Sequence, residues 1–478
     1  MPRAAIIGSG PNGLSAAVTL ARAGVEVTVY EALDTIGGAC STAEITLPGF
    51  RHDLGASIFP MGVASPFFNS LPLEQFGLRW VQPDAAMAHP LDDGTAVILE
   101  HDPAATAANL DPADSAAYAR LMQPFIRQWP ELFSEAFGPL LHVPKHPLLL
   151  ARFGTDGALP VSVLARSRFR GARARALLAG NASHAVLPLS HPFTSAIALV
   201  FGAAAHTTGW PAAAGGAQSI SIALAAYLES LGGKIVTGHR VGSLAELNGN
   251  FDLVLCDVAP RQLVELAGDL LPAAHIHQLK RFRPGPGAFK IDWALSESIP
   301  WKARECLRAA TVHVGGTLEE ITAAESAPWK GRASQQPFVL VTQPSLFDPT
   351  RAPEGRHVAW GYCHVPNGFD EDMQDAIESQ IERFAPGFRD CILARRISTP
   401  AQLEAWNPNL IGGDVSGGAI TPSQLLFRPT IWQYRTPLKG LYLCSASTPP
   451  GGGVHGMCGY YAAKTALQHI SPSLTPGH

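Results

Sequence analysis

The sequence predicts an α/β chain: a doubly wound parallel sheet in one part, a mixed α+β assembly in the other. Three observations predict it. A strand, glycine turn, helix and second strand follow one another within the first 32 residues. A further strand, glycine loop and helix fill residues 440–469. The length of 478 residues exceeds the ~250–300 at which one core stops growing, so two domains are expected.

In the N-terminal unit, residues 4–7 form a short apolar strand that breaks at Gly8. The spacing Gly8-x-Gly10-x-x-Gly13 comes next, then a helix from Leu14 to about Ala23, stopped by Gly24. A β-branched run over 25–30 makes the second strand, and Glu31 sits at its end. Gly8 permits the tight turn, Gly10 lets a pyrophosphate approach the backbone, and Gly13 lets the helix lie close on the sheet. The helix start offers free N–H groups and a positive dipole end to phosphate. Glu31 stands where an acid that holds ribose hydroxyls is expected, ~20 residues on. Each piece alone is weak, because a chain with 46 glycines produces such spacings by chance. In register, they specify a dinucleotide site.

The residues after Glu31 distinguish the dinucleotide. Asp34-x-x-Gly37-Gly38 lies in one short loop, followed by Phe50-Arg51-His52-Asp53-Leu54-Gly55-Ala56-Ser57. A glycine pair here lets the backbone fold over the pyrophosphate again, as flavoproteins do; an ordinary turn is the plainer alternative. A separate NAD(P)H domain is not expected. At the C-terminal end, residues 440–447 read as a buried strand. Thr448 to Met457 is a loop with Gly451-Gly452-Gly453, and a helix runs from Gly459 to about His469. That second helix start is expected to face the flavin's pyrimidine edge, where charge accumulates on reduction.

These segments, with Asp53-Leu54-Gly55-Ala56-Ser57 and Pro450-Gly-Gly-Gly-Val-His-Gly-Met457, resemble the phytoene-desaturase-like FAD-dependent oxidoreductases. The likeness is closest to the retinol-saturase and pyridine-nucleotide-disulfide-oxidoreductase-domain-2 branch. A middle segment fits too: Gly209-Trp210-Pro211, Gly215-Gly216, a helix to about Leu231, then Gly232 to Thr237 and Val241. The resemblance implies a Rossmann-type FAD-binding domain of the two-dinucleotide-binding, amine-oxidase-like fold, with Val241 on a strand near the adenine. One departure is Ala39, where many members carry an arginine. Motif spacing and resemblance together assign cofactor contact to Gly8, Gly10, Pro11, Asn12, Gly13, Glu31, Ala32, Gly38, Ala39 and Ser57. Val241, Ala446, Gly452, Gly453, Val454 and Met457 complete the set.

Composition narrows the partners. A net charge of −4 gives no general electrostatic case for nucleic acid. Charged residues make up 15 % against ~25 % in soluble domains, and hydrophobic ones 46 %, which suggests large apolar interiors or tolerance of lipid. Seven scattered cysteines without Cys-x-x-Cys make a disulfide framework or zinc site unexpected, and no metal site is expected. With a strand beginning by residue 4 and the longest apolar stretch only 196–205, the chain reads as cytoplasmic, soluble or peripherally membrane-bound.

The cofactor stretches imply a discontinuous FAD-binding domain, 1–70, 205–265 and 430–478, and a substrate domain from 71–204 and 266–429. Residues 101–135 read as helix and 145–190 as helical. Residues 289–295 alternate as a half-buried strand. Residues 338–342 and 357–364 add strands to the same sheet, and 371–384 a helix. Between 145 and 175, seven basic residues interleave with apolar ones. The segment can dip into a bilayer interface, form an oligomer contact, or simply be a solvated face over a core.

A flavin dehydrogenase needs little from side chains, because N5 accepts the hydride and the protein positions substrate and excludes water. Three catalytic candidates stand on expected flavin-facing segments. His455 lies in the glycine loop, to polarise the flavin or fix the loop. Lys290 points opposite Phe289, Ile291 and Trp293, at a flavin edge or simply exposed on its strand. His364 stands at a strand end, lining the pocket or structural. Trp406-Asn407-Pro408-Asn409 with Gly412-Gly413-Asp414 reads as a rigid loop near the site. The expected activity is hydrogen removal or addition at a carbon–carbon bond of a hydrophobic, polyene- or lipid-like substrate, with hydride transfer to N5 and oxygen or a quinone as acceptor. A redox-neutral FAD-dependent isomerase or hydratase, and an FAD-stabilised binding protein, are the alternatives.

Overall fold

The computed structural model describes residues 1–139, 142–247 and 249–470. In chain order the strands of its two larger sheets are β1 (Arg3–Ile7), β2 (Glu26–Tyr30), β3 (Ala85–Pro90), β4 (Ala96–Leu99), β5 (Lys234–Val236) and β6 (Leu253–Cys256). They continue as β7 (Gly287–Leu295), β8 (Ala309–Val314), β9 (Val339–Thr342), β10 (His357–Val365), β11 (Ile392–Ser398) and β12 (Leu441–Leu443).

The first sheet has the order β12-β6-β1-β2-β5, with every pair parallel. Ala4, Ala5 and Ile6 of β1 are fully buried, as a central parallel strand covered on both faces must be. Helix α1 (Pro11–Arg22) covers one face through Gly13, Ala16, Ala17 and Leu20. The C-terminal helix, Met457–Ile470, lies against α1 so closely that a Cβ at Gly459 would stand 1.8 Å from the Asn12 carbonyl oxygen. The chain runs from β1 to β2 on one side and later enters β6 on the other. The carboxyl ends of β1 and β6 therefore flank the switch point where doubly wound sheets bind ligands.

The second sheet has the order β11-β7-β10-β9-β8-β3-β4, antiparallel except for the β8/β3 pair. One face packs Phe289, Ile291 and Trp293 into a core with Val312, Val341 and Phe384. The other face looks toward the helices of 103–207. The alternation over 289–295 is present, but the strand is not half-buried. All nine residues of β7 are buried, because it has neighbours on both edges and a layer over each face.

The long helical regions are broken. Residues 101–135 contain Pro103–Ala108, Pro112–Arg127 and Trp129–Ala136, each with proline in its first turn, where its fixed φ and missing N–H start a helix rather than continue one. Residues 145–190 hold α2 (Pro147–Gly157), α3 (Val161–Arg168) and α4 (Ala172–Ser183), and α5 (Thr194–Thr207) follows. Val241 lies beyond β5 in a loop and not on a strand, and the final strand spans three residues instead of eight. Among the described residues, no single helix is long and apolar enough to cross a membrane. The pair α2 and α3 passes that test together but is bent by 92°. All seven cysteines are buried and free.

Candidate functional site

A cavity of about 1100 Å³ begins at the switch point of the first sheet and runs to the helix-covered face of the second. Of the predicted cofactor residues, all but Gly13 and Met457 line it. Gly13 stands behind the wall for a steric reason: a Cβ there would lie 2.1 Å from the Gly8 carbonyl oxygen, so only glycine lets α1 sit this close to β1. Gly8 itself turns at φ +100°, a left-handed conformation that side chains disfavour.

Glu31 is 8 % exposed and reaches the wall from the end of β2. Its Oε2 accepts from the Ser9 N–H at 2.9 Å and the Ser9 Oγ–H at 2.6 Å, and its Oε1 from the Leu33 N–H at 2.9 Å. The carboxylate is thus held still while spare lone pairs remain for hydroxyl donors. The N-cap residue of helix α1, Gly10, has no side chain to cap it and the first turn carries no acid of its own, and among the described residues the buried Asn12 Oδ1 beside it has no partner. The α1 start, a fixed carboxylate and an orphaned amide oxygen around one groove fit a dinucleotide.

Asp257, at the end of β6, is a site residue that sequence reasoning missed. It lines the cavity, and its Oδ2 accepts the Gly13 N–H at 2.9 Å. Burial, with a smaller contribution from the Glu31 charge, pushes its carboxyl up to about 7, despite that N–H. The available signal was local: the apolar run 253–256, then an acid, then Ala259-Pro260 opening a helix. Arg428 was missed too. Its guanidinium is 1 % exposed, lines the cavity, and donates to the carbonyls of Gly417 at 2.7 Å and Ala446 at 3.0 Å. It places a cation near the glycine loop in a chain that has Ala39 instead of arginine at the first loop.

Lys290 lines the cavity and is not an exposed strand lysine; it is 5 % exposed. Its Nζ pairs with both Asp292 oxygens, at 2.5 and 2.6 Å, donates to the Asp53 carbonyl at 3.0 Å, and lies 5.0 Å from the Trp360 ring centre. Nearby, Arg351 pairs with Asp53 at 2.7 Å, both side chains fully buried. Burial alone would raise the Asp53 pKa, but Arg351, the Ser57 hydroxyl and the Ala217 N–H hold it below the usual carboxylate range. His52, beside these cations, falls to about 3 through burial, then Lys290 and Arg351. Two cations and two anions thus balance beneath the 53–57 loop. Ser57 Oγ donates to Asp53 and accepts from Trp360 Nε1 at 2.7 Å, so its hydroxyl is already engaged.

His455 does not line the cavity. It is 1 % exposed behind the glycine loop, and its Nδ1 accepts the Met457 N–H at 3.0 Å. Burial lowers its pKa to about 4, so it is a neutral, loop-fixing imidazole. His364 also lies off the cavity wall, paired through Nδ1 with the buried Glu325 at 2.8 Å. Trp406 to Asn409 do line the cavity, and Asp414 fixes their loop by accepting from the N–H groups of Gly285, Ser416 and Gly418. Among the described residues, no group of three His, Cys, Asp or Glu is placed to hold a metal ion.

Beyond the dinucleotide groove the cavity becomes an apolar chamber. Leu150, Phe153, Ala196, Ile197, Val200 and Phe201 from α2 and α5 form one wall, and the second sheet forms the other. A nucleotide-binding parallel sheet joined by one cavity to a sheet-and-helix chamber defines the fold of the FAD amine oxidases and desaturases.

Comparison with known proteins agrees. Residues 6–71 match the NAD(P)-binding Rossmann-like domain model. The pyridine nucleotide-disulfide oxidoreductase domain-containing protein 2 of Mus musculus is 28 % identical, covering 98 % of this chain and 93 % of that protein. A phytoene desaturase (neurosporene-forming) of Cereibacter sphaeroides is 25 % identical over 98 % of this chain and 95 % of its own length. A putrescine oxidase structure superposes with a TM-score of 0.61 at 17 % identity, covering 98 % of each chain. The resemblance read from the motifs therefore extends along the chain, and the protein is an oxidoreductase similar over nearly its whole length to proteins that include phytoene desaturases.

Proposed function

We propose that the protein binds FAD in the groove from Gly8 to Glu31 and removes or adds hydrogen at a carbon–carbon bond of an apolar substrate. One observation carries this reading: the dinucleotide groove and the apolar chamber are a single cavity. FAD supplies, when bound, an acceptor for a hydride. The chain's own residues do the rest. Glu31 holds the ribose, the α1 start and Arg428 receive negative oxygen, and the α2 and α5 side chains exclude water and seat the substrate. Lys290 keeps the 53–57 loop in place against the reacting region. Oxygen or a quinone serves as electron acceptor. Residues 1–70, 205–265 and 430–478 form the cofactor unit in this proposal, and the rest the substrate unit.

Segment 145–175 is proposed as a peripheral membrane contact. Leu148 there is 86 % exposed, Arg152 is exposed, and Leu150 and Phe153 of the same helix line the chamber.

The test is an anaerobic visible spectrum of the purified protein, before and after adding host lipid extract. A flavin band that bleaches supports the dehydrogenase reading. A band that persists favours a redox-neutral isomerase or a binding protein, and absence of any flavin overturns the proposal.

A further inference from the structure

The chamber is not apolar all round. On the chamber side of the second sheet, Thr311 of β8 stands opposite Thr342 of β9, and Leu340 opposite Tyr362 of β10. Thr311, Thr342, Tyr362 and His184 all line the cavity. Thr311 is engaged, since its Oγ1 accepts from Trp210 Nε1 at 3.0 Å. Thr342 is not: its Oγ1 is buried in a residue 1 % exposed, and among the described residues no partner meets it. Buried hydroxyls nearly always find a partner, so one facing a cavity unpaired points to a ligand atom.

The neighbourhood is polar beyond that hydroxyl. His184, at the end of α4, meets Trp210 ring to ring at 6.2 Å and places its Nε2 3.0 Å from Nε2 of the buried His313. Burial keeps both imidazoles neutral, with His184 lowered to about 3 and His313 lowered well below the ordinary value. Neutral imidazoles and hydroxyls match an uncharged polar group and not a carboxylate or ammonium ion.

We infer that this end of the chamber is a subsite for one uncharged oxygen function, a hydroxyl or carbonyl, on an otherwise apolar substrate, with Thr342 Oγ1 as its hydrogen-bonding partner. The inference deepens the proposed function and rests on its reading of the chamber as the substrate pocket. The Thr342 hydroxyl donates to a carbonyl or accepts from an alcohol, and the α2 and α5 wall contacts the hydrocarbon.

The experiment is calorimetric titration of the FAD-loaded protein with 2-naphthol and 2-acetylnaphthalene against naphthalene and 2-methylnaphthalene. The oxygenated probes should bind about five- to tenfold tighter, the gain of one buried hydrogen bond. Thr342→Val, which keeps the shape and removes the hydroxyl, should abolish that preference while leaving naphthalene binding intact. Thr342→Ser should retain it. Equal binding of both probe types, no binding of either, or an undiminished preference in Thr342→Val each overturns the inference. A flavin band in the same sample keeps that failure separate from failure of the FAD reading, which absence of flavin alone would bring down.

Discussion

Asp257 offers the sharpest test of how the switch point is built. It is a carboxyl with no ion-pair partner among the described residues, buried against the start of α1 and accepting one backbone N–H. Its folded pKa, about 7, lies above the unfolded value of 3.8. The native state therefore binds the proton more tightly between pH 4 and 7, and stability falls as pH rises through that window. Three units at 1.36 kcal/mol each make about 4 kcal/mol in all, of which about 2 kcal/mol remains to be lost above pH 5.5. For a chain of this length, unfolding entropy converts 1 kcal/mol into roughly 1 °C. Asp257→Asn keeps an oxygen for the Gly13 N–H and cannot ionise. In the cofactor-free protein, the melting temperature of Asp257→Asn should therefore gain on wild type by about 2 °C between pH 5.5 and 8. Cofactor phosphate brought close would raise the pKa further, so wild-type FAD affinity should weaken above pH 7 and that of Asp257→Asn should not. Parallel melting curves for the two proteins across the range would refute the argument.

Other expectations follow from the same geometry. Glu31→Ala removes the acceptor proposed for the ribose and should weaken FAD binding by ~10- to 100-fold in a fluorescence titration; unchanged affinity would remove the ribose assignment. Gly13→Ala drives a Cβ to within 2.1 Å of the Gly8 carbonyl and should yield no soluble flavin-loaded protein. Gly154→Ala, a helical site where among the described residues nothing outside the helix's own nearby backbone comes within 4 Å of the added Cβ, should melt at or slightly above wild type. Arg351→Met strands the buried Asp53 charge and should cost about 3–5 kcal/mol in denaturant unfolding, with recovery in the Arg351→Met/Asp53→Asn double variant. If 145–175 touches membranes, the protein should float with vesicles rich in anionic lipid and detach when Leu148 and Arg152 are replaced by glutamate; flotation unaffected by those changes would exclude the segment.

The sequence alone determined the parallel sheet and its nucleotide edge, because those features are local. Strand, turn, helix and acid lie within 32 residues, and Gly13 is required by the nearby Gly8. The same holds for the C-terminal loop, whose glycines meet the cavity where the motif puts them. Burial of the catalytic candidates was not local. Period-two alternation assigned Lys290 to the face opposite Trp293, correctly, but could not say that this face is covered as well. That depends on β10 and β11 flanking it and on Asp292 and Asp53 neutralising its charge. His455 and His364 sit in the expected segments yet off the cavity, because which side of a loop or strand end faces a hole is decided by what packs behind it. Asp257 stands 244 positions from the Gly13 amide it accepts, and Thr342 31 positions from its cross-strand neighbour Thr311. Only the tertiary structure brought those pairs together: contacts between distant strands arise from sheet order, and sheet order leaves no spacing in the chain.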